Sequence, residues 1–469
     1  MILLLPLLTL TSLVSGSPSD GAPPPSLERL RSVKLLEAPS DAAIHPTEGR
    51  GWVVVPMDYA RPSDSPKLRI FYRLMPCRGG IAPGTKAPVL VVVNGGPGLP
   101  SSSYRPYDFD DRRSEASEGE GDVLGALLTR FRILMVDQRG TPGHSSALDM
   151  SDPHLSPAVV ARYFDSVHHA LDLQEVIQAV LPAGEPFFVL AQSYGGMIGM
   201  RYLTLPGITR LPAGIVFASA VLPVQDPLES FLARRRAQRA LNLQLRQAVP
   251  EIPGLLTSLG GRLGAAGVDP GAVNYLWMWL GRGPTGTWEA ALRDEVQRML
   301  RADAPALRSF VERQASSVDL LNYLLSAKEL TPGHTDRTLA PVLTRGVPFE
   351  PWMLDEQWTL PRVHGEASWT GPLLDAIDRA PPALLPAFPP VGRIKELLAR
   401  TRVLFTIGKG DAFVEEQVEL GYVKRLLVPG RGTVRLLPGG HKAAFLPSGV
   451  AAIAAWAAGE DAASADDGR

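Results

Sequence analysis

Unbroken apolar runs recur along the chain, and each ends on small or polar residues. APVLVVVNGGPG (87–98) and FRILMVDQRG (131–140) share this form, as do PFFVLAQSYGG (186–196), GIVFASAVL (214–222) and RVLFTIGKGD (402–411). A run without polar alternation suits a strand buried on both faces of a parallel sheet. Ahead of them, GWVVVPMDYA (51–60) and KLRIFYRLMP (67–76) are β-rich, with a turn signal at Arg61-Pro62-Ser63-Asp64 between them. The helical stretch DLQEVIQAV (172–180) precedes the 186–196 segment, and GTVRLLPGGH (432–441) supplies a last strand. Strands alternating with helices in this way predict βαβ units and a mainly parallel sheet flanked by helices, an α/β fold.

Between 225 and 395 the rhythm is different. Residues 227–249 read as one long helix, and 288–313 as helical with a break near Pro305. This region also holds Trp277, Trp279, Trp288, Trp352, Trp358 and Trp369, six of the eight tryptophans. The predicted organisation is a sheet core over 41–224, a large helical cap over 225–395 inserted before the last strands, and a second part of the core over 396–458. A chain longer than roughly 250–300 residues is expected to divide in some such way.

Composition narrows the class of partner. The 469 residues carry 47 Lys and Arg against 48 Asp and Glu, for a formal net charge of -1. With 45% hydrophobic and 20% charged residues, this is a globular composition and excludes global disorder. The balance also argues against a nucleic-acid partner, which usually leaves a basic footprint. Cys77 is the sole cysteine, so one chain has no internal disulfide and no Cys-rich zinc site; the thiol is expected semi-buried near a strand end.

The ends carry their own signals. Ile2 to Val14 form an apolar run, too short for the roughly 20 residues that span a bilayer, and Ser15, Gly16 and Ser17 follow it. This predicts a signal peptide over 1–16, a flexible segment over 17–40, and a secreted or periplasmic protein. The run has no preceding Lys or Arg, and a mis-assigned start would leave the protein cytoplasmic. No other run is long and apolar enough for stable membrane insertion. Residues 459–469 are a small acidic tail, expected to be disordered.

The sharpest chemical signal is Ala191-Gln192-Ser193-Tyr194-Gly195-Gly196, between an apolar strand and the helical segment MIGMRYL. A nucleophile elbow needs this setting, because the strand-to-helix turn is tight and demands small residues two positions either side of the serine. The N–H of Tyr194 then points where an oxyanion would form, and the helix N-terminus adds a favourable partial charge. A serine hydroxyl needs a base, and the base needs an orienting carboxylate. In α/β-hydrolases these follow in the order serine, acid, histidine. Of His334, His364 and His441, only His441 follows a sheet-type strand; Asp411 lies just past the strand before it. Both fall at carboxyl ends of strands, where parallel sheets place their ligand sites. Glu415 and Glu416, the rivals for the acid, fall on the next helix. A second oxyanion donor is expected on Asn94-Gly95-Gly96-Pro97-Gly98, with Gly96 N–H the candidate, since glycines let the backbone approach a carbonyl closely.

Together these residues resemble the proline iminopeptidase family of α/β-hydrolases, which includes tripeptidyl aminopeptidase-like secreted enzymes. The family pattern is a His-Gly-Gly-Pro-Gly loop, an Asp-Gln-Arg-Gly segment, Gly-x-Ser-Tyr/Trp-Gly-Gly, and a late Asp and His. This chain has NGGPG at 94–98, DQRG at 137–140 and AQSYGG at 191–196, and Val55-Pro56-Met57-Asp58-Tyr59 resembles the first strand of larger members. It departs at Asn94 for His and at Ala191 for Gly. The resemblance implies an α/β-hydrolase fold with a cap and a serine peptidase that removes N-terminal residues, often proline. It implies Ser193, Asp411 and His441 as triad, and cap carboxylates that read the free α-amino group. Glu356, in Met353-Leu354-Asp355-Glu356-Gln357-Trp358, and Glu289, in Trp288-Glu289, resemble such residues. Arg139 and Asp137 are expected to be structural, holding the loop beside the site through a charge-assisted network.

The expected partner is thus a peptide with a free N-terminus, and the chemistry calls for no metal or organic cofactor. A carboxylesterase or lipase on the same scaffold is the alternative, because only the cap distinguishes the two. A non-catalytic binding protein would need a broken triad. A dehalogenase or epoxide hydrolase usually carries Asp at the nucleophile position. Oligomeric state leaves no mark in the sequence.

Overall fold

The computed structural model describes residues 49–79, 86–96, 98, 124–141, 145–146, 156–223, 227–281, 286–314, 347–354, 388–411, 413–428 and 432–460. The expected signal peptide, the 17–40 segment, Glu356, Asp355 and residues 461–469 lie outside them.

Among the described residues there are eight strands: β1 (Gly49–Pro56), β2 (Lys67–Met75), β3 (Val89–Val93), β4 (Arg132–Val136), β5 (Phe187–Gln192), β6 (Gly214–Ala218), β7 (Arg402–Lys409) and β8 (Gly432–Pro438). They form one sheet in the order β1-β2-β4-β3-β5-β6-β7-β8. β2 runs antiparallel to both β1 and β4, and every pairing from β4 to β8 is parallel. This mostly parallel eight-stranded order is the α/β-hydrolase fold.

The apolar runs form strands because both of their faces are covered. In β3, Val89, Val91 and Val93 enter the core on one side of the sheet, while Leu90 and Val92 enter the core on the other. β5 divides in the same way, Phe187, Val189 and Ala191 against Phe188 and Leu190. Each valine, leucine or phenylalanine among them, when fully buried, contributes roughly 1.5–3 kcal/mol.

Helices cover the two faces. α1 (Pro157–Tyr163), α2 (Ser166–Val180) and α3 (Gly195–Thr204) lie on one side. Between β6 and β7 come α4 (Pro227–Ala248), α5 (Ile252–Ala265), a 3-10 helix (Pro270–Trp279), α6 (Trp288–Arg301) and α7 (Ala304–Gln314). These build a separate apolar cluster, including Leu245, Leu256, Leu259, Leu263, Leu292 and Val296. The break expected near Pro305 falls at Ala302-Asp303; Pro305 sits in the first turn of α7, where a missing N–H costs no hydrogen bond. α8 (Val391–Leu398) and α9 (Glu416–Leu426) return to the first face, with Ile394, Leu398 and Val423 in its core. α10 (Pro447–Ala458) covers the other face through Val450, Ile453 and Trp456. The Tyr422 hydroxyl donates to Glu229 Oε2 at 2.7 Å and ties α9 to the start of α4. No helix among the described residues is long and apolar enough to cross a membrane. Cys77 is partly buried just past β2.

Candidate active site

β5 ends at Gln192 and α3 begins at Gly195, which leaves two residues for the reversal. Ser193 takes a φ of 54°, in the left-handed region that a non-glycine residue enters at a cost of roughly 1–3 kcal/mol. Three backbone bonds hold it there. Its N–H donates to Ala218 O at 3.0 Å, and its carbonyl accepts from Gly196 and Val221 N–H, each at 2.9 Å. The glycines follow from contact. A Cβ on Gly195 would lie 2.3 Å from Val93 O, and one on Gly196 2.7 Å from both Ala220 Cβ and Val221 O. Ala191, where the resembled family has glycine, is accommodated by a glycine elsewhere: a Cβ on Gly199 would fall 2.9 Å from the Ala191 methyl.

The loop after β3 crosses directly over this turn. A Cβ on Gly95 would sit 2.5 Å from Ser193 Cβ, so Gly95 as much as Gly96 must lack a side chain. Gly96 follows with a φ of 42°, and Tyr194 is the N-cap of α3. Both candidate oxyanion donors thus belong to backbone that closes on Ser193. One side chain clamps the loop at its two ends. Gln138 Oε1 accepts from Gly98 N–H at 2.8 Å, and Gln138 Nε2 donates to Asn94 O at 3.0 Å. Gln138, in the DQRG segment, was not singled out from sequence, because nothing local says where its amide points.

Asp411 and His441 come together past the last two strands. Asp411 Oδ2 lies 2.8 Å from His441 Nδ1. Its Oδ1 accepts from Phe413 and Val414 N–H at 2.8 and 3.1 Å, so the carboxylate is held by its own turn. With Nδ1–H given to this carboxylate, the lone pair stands on Nε2. The carbonyl of His441 accepts from Gln192 Nε2 at 3.5 Å, which brings the histidine loop to the residue preceding Ser193. Close backbone approaches fix both loops. A Cβ on Gly408 would lie 1.9 Å from Gly440 O, and Gly439 and Gly440 take φ values of 113° and 61° just before His441. The rivals for the acid are committed elsewhere. Glu415 caps α9 through Val418 N–H, and Glu416 accepts from Gly410 N–H.

The helical segment reaches this site. Phe413 stacks on the His441 ring at 4.6 Å between centroids, and Trp277 packs on Phe413 at 5.0 Å. A Cβ on Gly440 would lie 2.5 Å from Gly281 O. Glu289 is buried, and each of its oxygens already accepts a hydrogen bond: Oε1 from Gln244 Nε2 at 2.5 Å, Oε2 from Gly286 N–H at 2.7 Å. It therefore braces the start of α6. Among the described residues, no group of three or more His, Cys, Asp or Glu could hold a metal ion.

Arg139 is structural, but its carboxylate partner is Asp172 on α2. Arg139 Nε and Nη2 donate to Asp172 Oδ2 and Oδ1 at 2.8 and 2.6 Å. Its remaining donors reach Met57 O, Tyr163 O and Pro56 O. Tyr59 adds a hydroxyl bond to Asp172 Oδ1 at 2.8 Å. Burial works against the Arg139 charge, yet the Asp172 carboxylate outweighs it and holds the guanidinium above its ordinary pKa.

A strained serine turn at the carboxyl end of the fifth strand of such a sheet, with an acid–histidine pair just past the last two strands, fits the α/β-hydrolase fold, and that is the fold of this chain. In sequence it is similar to a proline iminopeptidase from Aeromonas sobria, 32% identical over 156 residues. That match spans 32% of this chain and 32% of the relative, so the chain spans about a third of the length of the curated protein it matches. No family model matches. Superpositions on solved structures include a serine hydrolase from Cycloclasticus zankles, at TM-score 0.38 and 10% identity, over 88% of this chain and 100% of that one. Another is a haloalkane dehalogenase loop variant from Bradyrhizobium elkanii, at TM-score 0.38 and 15% identity, over 89% and 99%. At these TM-scores the superpositions carry no argument, and the fold rests on its own strand order.

Proposed function

We propose that this chain is a serine aminopeptidase that releases N-terminal residues through an acyl-enzyme. The observation that carries it is the Asp411–His441 bond at the same sheet edge as the strained Ser193. His441 Nε2 takes the proton from Ser193 Oγ as that oxygen attacks the carbonyl carbon. Asp411 keeps the imidazole in the tautomer that can accept it. Gly96 and Tyr194 N–H groups receive the oxyanion. The imidazolium then gives its proton to the leaving nitrogen as the C–N bond breaks. Water, deprotonated by the same imidazole, hydrolyses the ester at Ser193.

The peptide preference draws support from the proline iminopeptidase match and from the motifs at 94–98, 137–140 and 191–196. The substrate is a peptide with a free N-terminus. A buried α-ammonium requires a compensating negative charge. With Glu289 bracing α6, Glu356 is the stronger candidate for that charge. Trp277 and Phe413 offer an apolar wall beside His441.

The test is a panel of aminoacyl and tripeptidyl chromogenic amides and simple esters, with free and blocked amino ends, on wild type and Ser193→Ala. Wild type should cleave the free-amine amides, and Ser193→Ala should lose turnover while keeping its circular dichroism. Full activity in Ser193→Ala would refute the nucleophile. Ester cleavage without amide cleavage would make the protein a carboxylesterase instead.

A further inference from the structure

One buried acid near the site takes no part in the mechanism above. Glu419 sits in the first turn of α9, the helix that follows the Asp411 loop, and is 0% exposed. Its Oε1 accepts from Ala220 N–H at 2.9 Å. Ala220 belongs to the segment just past β6, which is itself under strain: Ser219 has a φ of 41°. Ser219 N–H donates to Thr406 O at 2.8 Å, and Gly408 N–H donates to Ser219 Oγ at 3.3 Å. The next residue, Val221, supplies one of the two N–H groups that hold the Ser193 carbonyl. The methyl of Ala220 is also what a side chain at Gly196 would strike. A single carboxyl group therefore connects the helix behind Asp411 to the backbone that supports the Ser193 turn.

We propose that Glu419 is a positioning residue of the active site, joining the turn beneath Ser193 to the element that carries Asp411. The proposal rests on the serine-hydrolase function proposed above. Ser193 keeps its left-handed conformation only while its carbonyl is held. The Val221 bond depends on the 219–221 segment, and that segment is pinned from behind by Glu419. Without the carboxyl oxygen, the Ala220 N–H is left buried without its acceptor and the segment is free to relax.

Glu419 performs this role as a neutral acid. Burial pushes its carboxyl well above the ordinary range, the charge on Asp411 adds to that, and the Ala220 N–H opposes both. Asp411 is the charged side chain that acts on it. Among the described residues, Oε2 makes no hydrogen bond, which suits a protonated oxygen far better than a buried anionic one. The electrostatic consequence is that Glu419 adds no second negative charge beside Asp411.

The test uses the rate at which a fluorophosphonate labels Ser193, followed against pH, in wild type, Glu419→Gln and Glu419→Ala. Glutamine keeps a carbonyl oxygen for Ala220 and carries no charge. It should label within about threefold of wild type, with the acid limb of the profile in the same place. An anionic glutamate would have favoured the imidazolium, so its replacement by glutamine would move that limb to lower pH. Alanine should slow labelling by about ten- to a hundredfold, the scale expected when a reacting group is slightly misplaced. A downward shift of about half a unit or more in Glu419→Gln overturns the neutral acid. Wild-type rates in folded Glu419→Ala overturn the positioning role alone. Wild type that does not label at all refutes the proposed hydrolase function, and the role of Glu419 falls with it. If Glu419→Ala fails to fold, labelling slowed more than about tenfold in folded Glu419→Gln overturns the role, since glutamine preserves the Ala220 bond.

Discussion

Replacing Arg139 by Met should destabilise the fold by about 3–5 kcal/mol, the usual result of removing one partner from a buried ion pair. The magnitude follows from what is left behind. Arg139 is 0% exposed and Asp172 is 1% exposed. Its guanidinium makes two bonds to Asp172 and one each to Met57 O, Tyr163 O and Pro56 O. Methionine fills much of the volume but leaves a buried carboxylate that, among the described residues, has only the Tyr59 hydroxyl to answer it. Removing the charge as well, in Arg139→Met with Asp172→Leu, should recover part of the loss, because the uncompensated anion is its largest component. The pair should thus be non-additive by roughly 0.5–3 kcal/mol in a double-mutant cycle. The assay is urea unfolding of wild type, both single variants and the double variant at pH 7, followed by tryptophan fluorescence. A loss below about 1 kcal/mol in Arg139→Met would contradict the assignment, since a buried pair cannot be broken so cheaply. A double variant whose loss equals the sum of the two single losses would show that the residues do not act as a pair.

Two further outcomes follow from single side chains. Gln138→Leu removes both bonds that clamp the ends of the Asn94–Gly98 loop, at roughly 0.5–1.5 kcal/mol each; kcat should fall far more than KM rises, and an unchanged kcat on any cleaved substrate would show that the clamp does not position the loop. The raised pKa of Glu419 makes its contribution to stability complete below its ordinary value of 4.5 and progressively lost as pH rises toward the raised value; Glu419→Gln should therefore gain on wild type in melting temperature as pH is raised from about 5 to 8, at up to about 1.4 kcal/mol per pH unit, and a difference constant across that range would mean that no such shift exists.

Much of this protein is legible along the chain because it is local. β3, β5 and β6 announce themselves as unbroken apolar runs, since a strand covered on both faces has no solvent side to mark. The turn at Ser193 is legible for a similar reason: the small residues it needs are its own neighbours in sequence. Asp411 and His441 could be proposed from position alone, because parallel strands deliver their loops to one edge. Other features had no local signature. α5 carries Gly254, Gly260, Gly261 and Gly264, poor helix formers, and is helical because Leu256, Leu259 and Leu263 pack into the separate helical cluster. Phe413 reads as one apolar residue in a loop until it is found stacked on His441.

The amino-acid sequence by itself determined the individual strands, the serine turn and the chain order of Ser193, Asp411 and His441, because a strand or a turn depends on residues close together in the chain. Only the tertiary structure decided which buried charges answer one another. Arg139 chose Asp172 over the nearby Asp137, Gln138 reached the two ends of a distant loop, and Glu419 came to rest against Ala220. Hydrogen bonds and ion pairs are satisfied by whatever the packing brings within about 3 Å, and packing joins segments that the sequence keeps apart.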